Sequence, residues 1–128
     1  MYTSSGILRY GNNKAILEID KDIINYYRAL IPKYIKTNRQ MYDPHISVVR
    51  NEIPTNLHKW RKYEGEEIEF QYGPTIYFNK VYCWLNCFSK RLEEIRIELG
   101  LPVSSIYTLP PDGYVKCFHT TLGNFKGL

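Results

Sequence analysis

The chain spells one order of elements twice, and that repetition is the tightest constraint on its fold. In the first half, residues 6–10 and 14–19 are β-rich runs around the turn signal Gly11-Asn12-Asn13 and read as a hairpin. Asp20 stands where a helix N-cap belongs, and Ile23, Tyr27, Leu30 and Tyr34 then recur at helical spacing. Pro32 should end that helix near Ile31. A polar connection over residues 36–43 leads through Pro44 into a strand over residues 45–50. The second half repeats the order. Residues 67–72 and 75–79 flank a Gly73-Pro74 turn, and residues 81–87 form a further β-rich run. Ser89 is the N-cap of a helix whose apolar face is Phe88, Leu92, Ile95 and Leu99, with Gly100 and Pro102 as its stop. A loop over residues 102–116, carrying Pro110-Pro111-Asp112-Gly113, leads into a last strand over residues 117–123.

A chain of 128 residues suits one domain. The expectation is therefore a single α+β domain over residues 1–128. It would be bilobal, built of two pseudo-symmetric β-α-β half-domains (roughly 1–62 and 63–128) whose antiparallel sheets surround a central cleft. A chance likeness between two halves of a small α+β protein is the alternative. Against it stands one fact: both copies end in the same chemical pair.

Strand side chains alternate between faces. His45 and Ser47 then share one face, with Ile46 and Val48 opposed; His119 and Thr121 share another, with Phe118, Thr120 and Leu122 opposed. If approximate twofold symmetry brings the polar faces together, two imidazoles and two hydroxyls surround one small volume. Phosphodiester cleavage needs such a set. A neutral histidine takes a proton from the attacking oxygen and a protonated one gives a proton to the leaving oxygen, tasks suited to an unperturbed pKa of about 6.5. The hydroxyls can donate to non-bridging phosphate oxygens as charge builds.

The motifs Pro44-His45-Ile46-Ser47-Val48 and Phe118-His119-Thr120-Thr121-Leu122 resemble the paired HxS/T signatures of the 2H (two-histidine) phosphoesterase superfamily. The resemblance spans most of the chain, since members are bilobal with one motif per lobe, and is nearest to compact viral or phage members. It implies metal-independent, cofactor-free cleavage of nucleotide or RNA-end phosphodiesters, with His45 and His119 as acid–base pair and Ser47 and Thr121 holding the phosphate. The first motif carries serine where threonine is common, which keeps the hydroxyl.

The rest of a nucleotide needs aromatic surface and positive charge. Among twelve tyrosines, two tryptophans and five phenylalanines, the candidates are Tyr10, Tyr42 and Tyr114 near loops. Trp84 joins them, sharing the Tyr82 and Asn86 face of its strand while Cys83, Leu85 and Cys87 suit the core. Core packing is the competing reading for each. Arg50 and Lys116 flank the motifs, and Arg39 is a weaker option. His58 lacks a hydroxyl partner two residues on and reads as a surface residue.

A net charge of +4 favours anionic partners weakly, and no long basic run suggests a nucleic-acid tail. Three cysteines make no disulfide framework and no complete zinc set, so reduced buried thiols are expected. No segment has the ~20 apolar residues of a membrane span, and the opening residues lack the pattern of a secretory leader. The expected location is the cytoplasm, of the host if the source is viral; no obligate protein partner is implied. The leading expectation is hydrolysis of a cyclic nucleotide or cyclic oligonucleotide, including an immune second messenger. The alternatives are RNA-end processing of 2′,3′-cyclic phosphates or 2′-5′ linkages, a non-catalytic nucleotide-binding module, and a metal-dependent nuclease.

Overall fold

The computed structural model describes residues 1–128 and opens on the expected hairpin, β1 (Tyr2–Gly11) and β2 (Lys14–Glu18). Its turn places Asn13 at φ 59°, a conformation Asn tolerates better than most residues. β1 starts earlier than the hydrophobic pattern foretold. Its second half pairs β2, while Tyr2–Ile7 pair β4 (Glu67–Tyr72). A ten-residue strand outruns a five-residue hairpin partner, and its surplus backbone groups must find hydrogen bonds elsewhere. That pairing joins what the sequence presented as separate sheets into one.

The sheet has seven strands, all paired antiparallel. β3 (His45–Arg50) flanks β2; β6 (Tyr82–Phe88) takes β4 and the short β5 (Tyr77–Phe78), and also β7 (Phe118–Asn124). Leu8, Leu17, Ile46, Val48, Ile68, Phe70, Leu85 and Leu122 sit in one continuous apolar core. Cys83, Cys87 and Cys117 are buried free thiols, and burial pushes the Cys117 thiol up to about 11. No helix is long and apolar enough to cross a membrane.

Helix α1 (Lys21–Leu30) begins at Asp20, whose carboxylate accepts from the Asp22 N–H, and ends at Ile31 before Pro32. Its buried face departs from expectation. Ile24, Tyr27 and Ile31 pack inward, whereas Leu30 and Tyr34 are exposed. Tyr34 lies past the proline stop, so helical spacing no longer governs it. Helix α2 (Lys90–Glu98) is capped by the Ser89 hydroxyl and buries Leu92, Ile95 and Leu99, while Phe88 ends β6 half-buried. Gly100, at φ 79°, supplies the left-handed stop.

Each helix reaches a strand of the other half of the chain. Arg28 of α1 donates to the Leu122 carbonyl of β7 at 2.8 Å. Arg96 of α2 donates to the Val48 carbonyl of β3 at 2.7 Å. The first approach requires Gly123, where a Cβ would stand 2.5 Å from Arg28 Nη1 and 2.7 Å from the Asn38 carbonyl oxygen.

Candidate active site

β3 and β7 lie side by side, tied where the Thr120 hydroxyl donates to the His45 carbonyl at 2.9 Å. Both strands alternate through their motifs, over residues 45–48 and 118–122, before register shifts against β2 and β6 end the pattern. Ile46 and Val48, and Phe118, Thr120 and Leu122, are buried. His45, Ser47, His119 and Thr121 all line one cleft of about 1260 Å³. The four residues chosen from the two motifs are thus brought to a single volume.

The imidazoles are anchored alike. His45 Nδ1 is 2.8 Å from the Asp43 carbonyl oxygen, and His119 Nδ1 is 3.1 Å from that of Thr108. A carbonyl oxygen only accepts, so each Nδ1 carries the proton and donates. Each Nε2 is left as the reactive nitrogen, a lone pair in the neutral ring and a donor in the charged one.

The His119 pKa lies below the ordinary histidine value. Burial is the main cause, the Thr108 carbonyl opposes it, and the His45 and Arg50 charges lower it further. Below about pH 6.5 the unfolded chain therefore takes up a proton that folded His119 resists. Stability falls with pH across that window and levels off below the lowered value. We expect His119 to titrate by NMR with a midpoint under about 6.5, and acidification from about pH 7.5 to about pH 5.5 to lower Tm less in His119→Gln than in the parent. A midpoint at or above that value would contradict the burial argument.

Thr108 is held by a network that the motifs gave no hint of. Arg96, fully buried, donates to Glu52 Oε1 at 3.1 Å and Glu52 Oε2 at 2.7 Å, and also to the Pro102 carbonyl at 2.9 Å. The Ser105 hydroxyl donates to Glu52 at 3.0 Å, and the Ser105 N–H donates to the Thr108 hydroxyl at 3.0 Å. The ion pair thus fixes the loop whose carbonyl orients His119, while Arg96 also grips β3. A signal existed. Arg96 stands inside the apolar stripe formed by Leu92, Ile95 and Leu99, where a charged residue needs a buried partner.

Of the residues expected to hold the remainder of a substrate, Tyr42 and Arg50 line the cleft, and so do Arg39 and Tyr82. The others need correction. Tyr10 packs inward, edge-on against Trp60, away from the cleft. Trp84 is 1% exposed, stacked on Tyr77 and donating to Asn86 at 3.1 Å. Its register partner in β7 is Thr121, so it shares the site's face and yet is covered. Tyr114 is 88% exposed on its loop, and neither it nor exposed Lys116 lines the cleft. His58 is exposed on a short helical turn (Leu57–Lys59), as expected.

Charge in the cleft is one-sided. Lys14, Lys21, Arg28, Arg39, Arg50 and Lys126 face only Glu18 and Asp43. Arg28 is engaged with backbone carbonyls, and Arg39 donates to Asn25 at 3.0 Å. No three His, Cys, Asp or Glu side chains converge as a metal-ligand set. Compared with protein-family models, curated proteins and solved structures, the chain matches none.

Proposed function

We propose that this protein is a phosphodiesterase that hydrolyses a cyclic nucleotide or cyclic oligonucleotide without a resident metal, using His45 and His119 as acid and base. The observation that carries this reading is the shared anchoring of the two rings. Both line one cleft, and both are fixed through Nδ1 on a backbone carbonyl, which leaves each Nε2 free to meet a ligand. The excess of cations among the cleft residues adds attraction for phosphate.

The relation between the halves belongs to the same proposal. β2 pairs β1 and β3, and β6 pairs β4 and β7; each set is joined by one capped helix. The reciprocal arginines support it further. Leu122 and Val48, their acceptors, each stand three residues beyond the histidine of their own strand. Two β-α-β units facing each other across β3 and β7 account for both bonds.

In the proposed reaction, Ser47 and Thr121 donate to the non-bridging oxygens, and most strongly in the transition state. Replacing either by alanine should lower kcat by about 10²–10³-fold with a smaller change in KM. The test is turnover on a panel of 2′,3′-cyclic mononucleotides, cyclic dinucleotides, cyclic trinucleotides and 2′-5′ oligoadenylates with chelator present. Cleavage of none by the parent protein, or unchanged kcat in both variants, would count against the reading.

A further inference from the structure

Each imidazole is aimed by a backbone carbonyl on a loop, and such a bond aims a ring only as well as the loop is held. For His119 the hold is Glu52, two residues past the end of β3, the strand that carries His45. His45 takes its bond from Asp43, in the connection between α1 and β3. Residues 39–44 of that connection form no helix or strand, and Met41, Tyr42 and Asp43 are exposed, so packing does little to fix their path. Ties at the two ends of the stretch must do so instead. At one end the Ile19 N–H donates to the Pro44 carbonyl at 3.1 Å. At the other stands Asn124, the last residue of β7, the strand that carries His119.

The Asn124 amide is specified atom by atom. The Lys126 N–H can only donate, so the Asn124 atom 3.2 Å from it is Oδ1. The Lys126 carbonyl can only accept, so the Asn38 atom 2.8 Å from it is Nδ2, which donates also to Asn124 Oδ1 at 3.1 Å. That leaves Asn124 Nδ2 to donate to Gln40 Oε1 at 2.7 Å. Two backbone bonds between Asn38 and Asn124, at 2.8 and 3.0 Å, complete the tie, and Arg28 donates to the carbonyls on both sides of it, Thr37 and Asn38 on one and Leu122 on the other. Asn124 and Asn38 lie outside the lining of the cleft, whereas Gln40, Asp43 and His45 are part of it. Asn124 therefore reaches the site only through the segment it holds.

Resting on the phosphodiesterase reading for its effect on rate, the geometry points to Asn124 as a positioning residue for His45: from the strand of one histidine it holds the segment whose Asp43 carbonyl aims the other. Glu52 works in the opposite sense, from the end of the His45 strand to the loop that aims His119. The aim of each ring is thereby coupled to the placement of the other.

The test compares Asn124→Leu, which removes every side-chain bond at similar size, with Asn124→Asp. The new carboxylate keeps both bonds made to Oδ1, and the Gln40 amide can turn its Nε2 toward the second oxygen, so the tie survives. Long-range ¹H–¹⁵N NMR of the free protein at about pH 8, above the ordinary histidine value, reads which ring nitrogen carries the proton. In Asn124→Leu, His45 should lose its pure Nδ1–H form while His119 keeps it; in Asn124→Asp both rings should match the parent. Turnover should fall on the order of 10²-fold in the leucine variant, in kcat more than in KM, and return in the aspartate variant. Thermal melts establish folding. If Asn124→Leu does not fold, Gln40→Leu makes the same NMR comparison, since it leaves the bonds of Asn124 to Asn38 and Lys126 in place. An unchanged His45 tautomer, an equal response of His119, or failure of aspartate to restore the parent form overturns the inference. A His45 response without cleavage of any panel substrate retires the hydrolase reading alone, and cleavage with an indifferent His45 retires this one alone.

Discussion

Replacing Glu52 by alanine is expected to lower the folding free energy by about 3–5 kcal/mol, a large part of the 5–15 kcal/mol typical of a single domain. Arg96 is fully buried, and Glu52 accepts from two of its guanidinium nitrogens. Removing the carboxylate leaves a charge inside the protein with only backbone carbonyls for company. The penalty is that of the stranded charge, so removing both charges should recover much of it. Glu52→Ala/Arg96→Met is expected to be more stable than Glu52→Ala alone. Urea denaturation of the three forms makes the comparison, and a loss below about 1 kcal/mol would put the pair in the class of exposed ion pairs. Turnover should fall in both variants, because the loop that carries the Thr108 carbonyl loses the contacts that hold it.

The second large effect concerns the histidines themselves. His45→Ala and His119→Ala should each slow single-turnover cleavage by about 10²–10⁴-fold while folding is retained. The double variant should be little slower than either single one, since half of an acid–base pair is of limited use. Thermal melts establish that the four forms are folded. Multiplicative losses in the double variant would mean that the two rings act independently.

How much of this was legible differs by element. β3 was readable to the residue, because Ile46 and Val48 alternate with His45 and Ser47 and a proline precedes them. The helix starts were equally clear, since Asp20 and Ser89 are short polar residues that satisfy free N–H groups. The first half of β1 was not. Tyr2–Ser5 carries no apolar alternation, and its strand character comes from β4, a partner more than sixty residues away.

The site divides in the same way. Strand periodicity gave the pairing of His45 with Ser47 and of His119 with Thr121 on a face, whereas their lining of one cleft followed from the sequence only if a twofold relation joined the halves. Periodicity could not tell whether a face is covered. Trp84 has the right parity and lies under Tyr77, while Tyr10 points into the core. The apolar stripe of α2 shows that Arg96 needs a buried partner, but that partner, Glu52, lies 44 positions away and no local pattern names it.

The central claim is that one phosphodiester is worked on by both imidazoles. The measurement that meets it most directly is the single-turnover rate of the best-cleaved panel substrate across pH, with EDTA present. The account predicts a bell-shaped profile, with one limb for a ring that must be neutral and one for a ring that must be charged, and both apparent values belonging to the coupled pair. A profile with a single limb, or activity that vanishes in EDTA and returns with a divalent cation, would contradict it.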